Sequence, residues 1–178
     1  MKICVFGASM PVDESYEEAV RDLGRKLGEN GHTLVFGGYS RSLMKAIADG
    51  FADAGAEIIG VVPDFFEGSL VKHEGCTQVI HTREFSDRKK EEMIRASDAF
   101  IAVSGGMGTL DELFEVLTMK QTGCLKAPAV FFNVNGYWDT LTAMLVEMKA
   151  KGFISYEIED LFYCTNRADE IVKMFGHN

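Results

Sequence analysis

Short apolar runs alternate along the chain with longer segments in which apolar residues recur at helical spacing. The runs are bounded by glycine, proline or polar residues, which is typical of buried strands. They predict strands at Ile3–Phe6, Thr33–Phe36, Glu57–Val62, Thr77–Ile80, Ala99–Val103, Ala129–Phe132 and Leu161–Cys164. The periodic segments predict helices over Ser15–Gly28, Leu43–Phe51, Phe85–Ser97, the stretch ending near Gln121, Tyr137–Lys149 and Ala168–Phe175. The segment from Asp64 to Gly75 is irregular and is predicted to be a loop.

Continuously apolar strands separated by helices indicate a parallel sheet covered on both faces, because a half-exposed strand would alternate apolar and polar residues. The predicted fold is a doubly wound, Rossmann-like α/β sandwich forming one domain over residues 1–178. Such sheets bind ligands beyond the carboxyl ends of their strands. Three predicted strand ends carry glycine turns: Gly7-Ala8-Ser9, Gly37-Gly38 and Gly105-Gly106-Met107-Gly108-Thr109. Ser9 in the first turn and Gly38 in the second are therefore candidate ligand contacts, together with the third turn.

Composition narrows the classes of partner. The 178 residues carry a formal net charge of −9, which disfavours binding along a nucleic-acid backbone. No apolar run is long enough for a membrane span, and the first residues run directly into a glycine turn, so a cytoplasmic protein without nucleic-acid or membrane partners is expected. The four cysteines are scattered and are predicted to be free, buried thiols. The four histidines show no metal-ligand spacing, so no metal site is expected.

The third glycine turn is the most specific feature of the chain. Gly105, Gly106 and Gly108 let the backbone approach an anion without interfering Cβ atoms. Unpaired N–H groups at the start of the following helix and the helix dipole favour negative charge there, and Thr109 can add a hydroxyl donor. The loop from Ser104 to Thr109, including Met107, therefore predicts a phosphate site.

A structural interpretation explains the same residues. Thr109-Leu110-Asp111-Glu112 matches a capping box, with Thr109 at the N-cap and Glu112 at the third helical position. The two interpretations are compatible. Glu112 lies about one turn beyond the predicted phosphate site and could face an attached sugar, whereas Glu115 is interpreted as a solvated helix carboxylate.

A basic cluster lies upstream at Arg83-Glu84-Phe85-Ser86-Asp87-Arg88-Lys89-Lys90. Such a run is ordinarily the solvated start of a helix. Here it follows the strand that contains Val79, so it is expected at or near the rim that carries the glycine loop. Because arginine can clamp phosphate or carboxylate with two hydrogen bonds, the cluster is a second candidate for ligand binding.

Together these segments resemble the LONELY GUY family of cytokinin riboside 5′-monophosphate phosphoribohydrolases, many of whose bacterial members carry "lysine decarboxylase" names. The family's Pro-Gly-Gly-x-Gly-Thr-x-x-Glu loop corresponds to Ser104–Glu112, and its Met-x-x-Arg-Lys stretch to Phe85–Lys89. Ser97–Ala102, Asn133–Tyr137 and Lys151–Ile154 are also similar. The likeness extends from the first strand to about Ile154.

The resemblance implies a homodimer that hydrolyses the N-glycosidic bond of a nucleoside 5′-monophosphate, such as AMP or a cytokinin riboside monophosphate. The products would be a free base and ribose 5-phosphate. The family's catalytic pair corresponds to Arg88 and Glu112, with Lys89 among the substrate-binding residues. Arginine is too basic to donate a proton, so Arg88 is expected to position substrate and stabilise negative charge. This scheme requires no metal or organic cofactor.

The chain departs from the family at three places. Ser104 replaces a proline, and Tyr39, Ser42 and Lys45 replace glycines after the second strand. Arg88 lies ten residues before Asp98, where the family spacing of nine would place Lys89, so either residue can occupy the catalytic position. The replaced glycines also suit an alternative, a non-catalytic nucleotide-binding sensor or regulatory protein. A dinucleotide oxidoreductase is disfavoured because Gly7-Ala8-Ser9 lacks the Gly-x-Gly-x-x-Gly pattern.

Overall fold

A computed structural model describes residues 1–64, 72–83 and 87–176, with the backbone alone for residues 87–90. Its seven strands are β1 (Lys2–Phe6), β2 (Thr33–Phe36), β3 (Ile58–Pro63), β4 (Gln78–Thr82), β5 (Ala99–Ala102), β6 (Ala129–Phe132) and β7 (Tyr163–Thr165). They form one sheet in the order β4-β3-β2-β1-β5-β6-β7, and every neighbouring pair is parallel. The predicted parallel α/β fold is confirmed.

Helices cover both faces of this sheet. In the described part of the chain they are α1 (Glu14–Glu29), α2 (Ser42–Asp53), α3 (Asp87–Arg95), α4 (Met107–Gln121), α5 (Asp139–Ala150), α6 (Ile158–Leu161) and α7 (Ala168–Phe175). Alternate strand residues point to opposite faces. In β1, Ile3 and Val5 therefore pack with α1, α2 and α7, while Cys4 and Phe6 pack in a second core with α3, α4, α5 and α6.

The strand order reverses between β1 and β5. The chain builds the sheet outward from β1 to β4 and then returns to place β5 against the other side of β1. The crevice beyond this reversal is narrow at its base, where the Ala8 N–H donates to the carbonyl of Ser104 at 3.0 Å. The first and third glycine turns thus lie side by side at the topological position where such sheets bind ligands.

Two segments differ from the prediction. The expected strand from Leu161 is shorter, because Ile158–Leu161 forms one helical turn that buries Ile158 and Leu161, and β7 begins only at Tyr163. The helix expected from Tyr137 begins at Asp139 after a 3-10 turn at Val134–Gly136. The Asn133 side chain holds this turn, since its Oδ1 accepts the Trp138 N–H at 2.7 Å.

Most of the expected loop between Asp64 and Gly75 lies outside the described residues, as does the start of the helix expected from Phe85. Lys72, after the first of these gaps, forms an isolated antiparallel bridge with Tyr39. The N–H of the neighbouring His73 donates to the Gly38 carbonyl at 3.1 Å. This segment therefore anchors the turn that follows β2.

The cysteines are free thiols, as predicted, but they are not uniformly buried. Cys4 is buried in the core, Cys76 and Cys164 are half-buried, and Cys124 is exposed. The expectation of buried thiols is wrong for Cys124 because it follows the end of α4, where the chain turns at the surface. Among the helices of the described ranges, none combines the length and apolar character that a membrane span requires.

Candidate functional site

A cavity of about 790 Å³ opens at the carboxyl ends of β1, β2 and β5. All three glycine turns contribute to its wall: Gly7, Ala8 and Ser9 after β1, Gly37 and Tyr39 after β2, and Ser104 to Thr109 after β5. The volume is within the usual range for small-molecule sites. Gly38 is absent from the described lining, and a Cβ on it would lie 2.5 Å from Cγ2 of Val62, so this glycine faces the sheet.

Helix α4 begins earlier than the sequence motif predicts. Its N-cap is Gly106, in extended conformation and without a side-chain capping bond, and Met107, Gly108 and Thr109 form the first helical positions. The capping-box interpretation, with Thr109 at the N-cap and Glu112 at the third position, is therefore wrong. The glycines allow the tight entry, and Thr109 is instead buried, 3% exposed, with its side chain against Gly105.

The three loop glycines have different roles. A Cβ on Gly105 would lie 2.1 Å from Oγ1 of Thr109, so packing alone excludes a side chain there. A Cβ on Gly106 or Gly108 would meet no heavy atom within 4 Å, apart from the backbone of the helix itself at Gly108. These two glycines leave open space on the cavity wall beside the first backbone N–H groups of α4, which is the geometry that an anion requires.

Ser104 is a polar residue at the base of the cavity. It is only 3% exposed, and its Oγ has no hydrogen-bond partner among the described residues. A buried hydroxyl ordinarily has a partner, because desolvating it without one costs about 1–3 kcal/mol. Ser104 thus offers a donor at the place where the family has a proline.

Glu112 lies on the same cavity wall as the glycine loop, in the second turn of α4, and Asp111 lies beside it. Across the cavity, burial raises the pKa of the Tyr39 phenol, and the negative charge of Glu112 raises it further. The Glu112 carboxylate and the Tyr39 phenol are therefore close enough to interact electrostatically. Sequence reasoning treated Tyr39 only as a departure from the family pattern.

Glu115 does not match its interpretation as a solvated carboxylate. It is half-buried, its Oε2 is inaccessible to solvent, and it lines a neighbouring hollow with Leu110 and Phe114. Glu112 and Glu115 consequently line different, neighbouring depressions along α4.

An apolar rim surrounds the mouth of the cavity. Met10 and Met107 are 71% and 81% exposed, and Val12 and Tyr16 complete this side of the wall. Sequence reasoning missed Met10 and Val12, because loop residues between a strand and a helix give no periodic signal, and it also missed Tyr16, which lies in the first turn of α1. It also missed Arg41, a cation on the wall that the position directly after the second glycine turn could have suggested.

Arg88 and Lys89 belong to the backbone of α3, and their side chains lie outside the described residues. The same helix contributes Met93 to the cavity wall. Their roles, and the choice of register between them, stay predictions. Among the described residues, no cluster of three or more His, Cys, Asp or Glu side chains could hold a metal ion.

The sheet order and the cavity at its reversal define a doubly wound, Rossmann-like α/β protein. A family model described as "possible lysine decarboxylase" matches residues 44–175. The cytokinin riboside 5′-monophosphate phosphoribohydrolases LOG4 and LOG3 of Arabidopsis thaliana are 38% and 36% identical to the chain, each alignment covering 97% of it and 80% of the relative. The chain belongs to the LONELY GUY family.

Solved structures support the fold assignment. The molybdenum cofactor binding protein of Rippkaea orientalis superposes with a TM-score of 0.75 and 17% identity, covering 98% of this chain and 94% of that one. The molybdenum cofactor carrier protein of Chlamydomonas reinhardtii gives 0.73 and 22%, with the same coverage. At these identities the likeness concerns the fold alone.

Proposed function

We propose that this protein hydrolyses the N-glycosidic bond of a nucleoside 5′-monophosphate, releasing the base and ribose 5-phosphate. The observation that carries the proposal is the position of Glu112 on the same cavity wall as the uncapped, glycine-lined start of α4. The names of the LOG relatives describe this reaction on cytokinin riboside 5′-monophosphates. A single nucleotide-binding domain over residues 1–178 is part of the proposal.

The phosphate is proposed to bind at Gly106 to Thr109, where backbone N–H groups and the helix dipole favour an anion. The ribose then extends along α4 toward Glu112. Glu112 lies six positions after Gly106, a rise of roughly 9 Å along the helix. This spacing keeps the carboxylate from the phosphate it would repel while allowing it to reach the sugar.

Breaking the bond between C1′ and the base nitrogen develops positive charge on the ribose ring. The Glu112 carboxylate would stabilise this charge and orient water, by analogy with the carboxylates of O-glycosidases. The water oxygen bonds to C1′, one water proton remains on the new hydroxyl, and the other neutralises the departing base. Arg88 or Lys89 would position the substrate and stabilise negative charge. Holding the phosphate fixes the sugar against Glu112 and supplies much of the rate.

The apolar rim supports a preference among bases. Met10, Val12 and Met107 are exposed side chains beside the cavity mouth, and their apolar surface would be covered by a substituent on the base. Each CH₂ group of such a substituent that is buried contributes about 0.8 kcal/mol. We therefore propose that a cytokinin riboside 5′-monophosphate is hydrolysed with a higher kcat/KM than AMP.

Glu112→Gln tests the catalytic role, because it keeps the side-chain shape and removes the charge. Base release from AMP and from a cytokinin riboside monophosphate is expected to fall by about 10²–10⁴-fold. Glu115→Gln is the matched control on the same helix, since Glu115 faces the neighbouring hollow. The corresponding nucleosides serve as phosphate-free substrates. Wild-type turnover by the Glu112→Gln protein would refute the assignment.

A second candidate function is nucleotide binding without turnover. Tyr39, which occupies a position where the family has glycine, lines the cavity and changes its shape. Tight binding of a nucleoside monophosphate with no detectable base release would establish this alternative. Rapid turnover of any nucleoside monophosphate would eliminate it.

We also propose a homodimer, as the family resemblance implies. Met144, Val146 and Phe153 are large apolar side chains exposed on or just after α5, and a partner could cover them. Sedimentation at micromolar concentration is expected to give twice the mass of the chain. A monomer under these conditions would contradict the proposal.

A further inference from the structure

A tyrosine from a distant part of the chain contacts the glycine loop directly. The Tyr137 hydroxyl donates a hydrogen bond of 2.6 Å to the carbonyl oxygen of Gly105, across 32 residues of sequence. The Tyr137 side chain also lines the cavity. The hydroxyl therefore bonds directly to the backbone of the proposed phosphate site.

The peptide that the hydroxyl contacts joins two glycines. The carbonyl of Gly105 and the N–H of Gly106 belong to a single trans peptide between two glycines, and they point in opposite directions. Because neither flanking residue has a Cβ, this peptide can flip at little steric cost. A flip would turn a carbonyl oxygen, instead of an N–H, toward a bound anion.

The tyrosine itself is held in place. The indole N–H of Trp138 donates to the Ala102 carbonyl at the end of β5, at 3.2 Å, and the Asn135 side chain donates to Oγ of Ser15 at 3.0 Å. The Tyr137 ring packs edge-on against Tyr16, with centroids 6.3 Å apart. The turn after β6 is thereby attached to β5 and to the start of α1. These contacts fix the position of the Tyr137 hydroxyl.

We propose that Tyr137 is a positioning residue for the phosphate site: its hydroxyl holds the Gly105 carbonyl and so keeps the Gly106 N–H directed at the ligand's phosphate. The inference rests on the proposed function for its natural ligand. The role of Tyr137 concerns anion binding at the start of α4 and not the cleavage step.

Tyr137→Phe removes the hydroxyl and keeps the ring. Because the variant lacks the hydrogen bond to Gly105, we expect its affinity for inorganic phosphate, measured by calorimetric titration, to be roughly tenfold weaker. The KM for the nucleoside monophosphate should rise by a similar factor, with kcat nearly unchanged. Any hydrolysis of the phosphate-free nucleoside should not change. Tyr163→Phe is the control, because it removes a hydroxyl that bonds to Glu170 away from the cavity.

The outcomes separate this inference from the proposed function. If wild type binds phosphate more tightly than Tyr137→Phe but releases no base, the positioning role is supported and the hydrolase proposal fails. If the two proteins bind phosphate equally, or if wild type does not bind it, the positioning role is overturned. A fall in kcat for nucleotide and nucleoside alike would also overturn it, since that result indicates general damage to the fold. Thermal melting of both variants identifies such damage independently.

Discussion

Gly108→Ala should make the protein more stable and less active at once. Gly108 is the second residue of α4 and lines the cavity. A Cβ built on it meets no heavy atom within 4 Å outside the backbone of its own helix. The substitution therefore introduces no clash in the folded protein, and the added methyl group lies beside the proposed phosphate position.

The two effects have different magnitudes. Alanine is about 0.8–1.0 kcal/mol more favourable than glycine inside a helix, and somewhat less than this is expected at the second position. For a chain of this size, 1 kcal/mol raises Tm by about 2–4 °C. If the methyl group prevents one N–H from reaching the phosphate, the lost charged hydrogen bond costs about 1.5–3 kcal/mol. That loss lowers kcat/KM by roughly 10- to 150-fold.

The assay combines thermal melting with base release from a nucleoside monophosphate. Thr140→Ala is the control, because Thr140 is exposed in the first turn of α5, where alanine also favours the helix, and it is not among the described residues that line the cavity. It should raise Tm without changing KM. If Gly108→Ala raises Tm and leaves the KM of the nucleotide at its wild-type value, the phosphate does not bind at the first turn of α4, and the placement proposed here is wrong.

Two further substitutions test the packing of the glycine loop and the pH dependence of stability. Gly105→Ala should destabilise the protein by about 1–3 kcal/mol in urea unfolding, because its Cβ would overlap Oγ1 of Thr109; an unchanged midpoint would contradict this packing. Burial raises the pKa of Asp49, but hydrogen bonds from Lys45 and His73 outweigh it and lower the pKa overall. This stabilisation is complete above the unfolded-state pKa of about 3.9 and is lost as pH falls through the lower folded-state value. Asp49→Asn should therefore show a shallower decline of unfolding free energy below pH 4 than wild type, and parallel profiles would refute the linkage.

Most of the sheet could be predicted from sequence because β1, β2, β3, β5 and β6 are continuous apolar runs that are largely buried. The prediction failed where an apolar run is short. The residues around Leu161 suit a strand and a helical turn equally well by pattern, and only packing against the second core selects the turn. The start of α5 was also misplaced, since a 3-10 turn closed by Asn133 has no distinctive periodicity.

The candidate site could be predicted only in part, for a related reason. Thr109 and Glu112 have the spacing of a capping box, and sequence alone cannot locate the N-cap when glycines precede it. The structure puts the N-cap at Gly106, which leaves the first N–H groups of α4 without a side-chain cap. Tyr137 and Met10 reach the cavity from elements far apart in the chain, so their proximity depends on the order of the strands.

The arrangement of charges in the cavity favours one orientation of the proposed ligand. The protein has a net charge of −9, and Asp111 and Glu112 place two carboxylates on the cavity wall. A phosphate near these carboxylates would be repelled, whereas the start of α4 supplies backbone N–H groups that favour an anion without adding net charge. In the proposed placement, with the phosphate at Gly106, the sugar faces the carboxylates and the base extends toward the apolar rim at Met10. Removing the phosphate should therefore cost orientation as well as affinity, so a nucleoside should lose kcat in addition to binding more weakly.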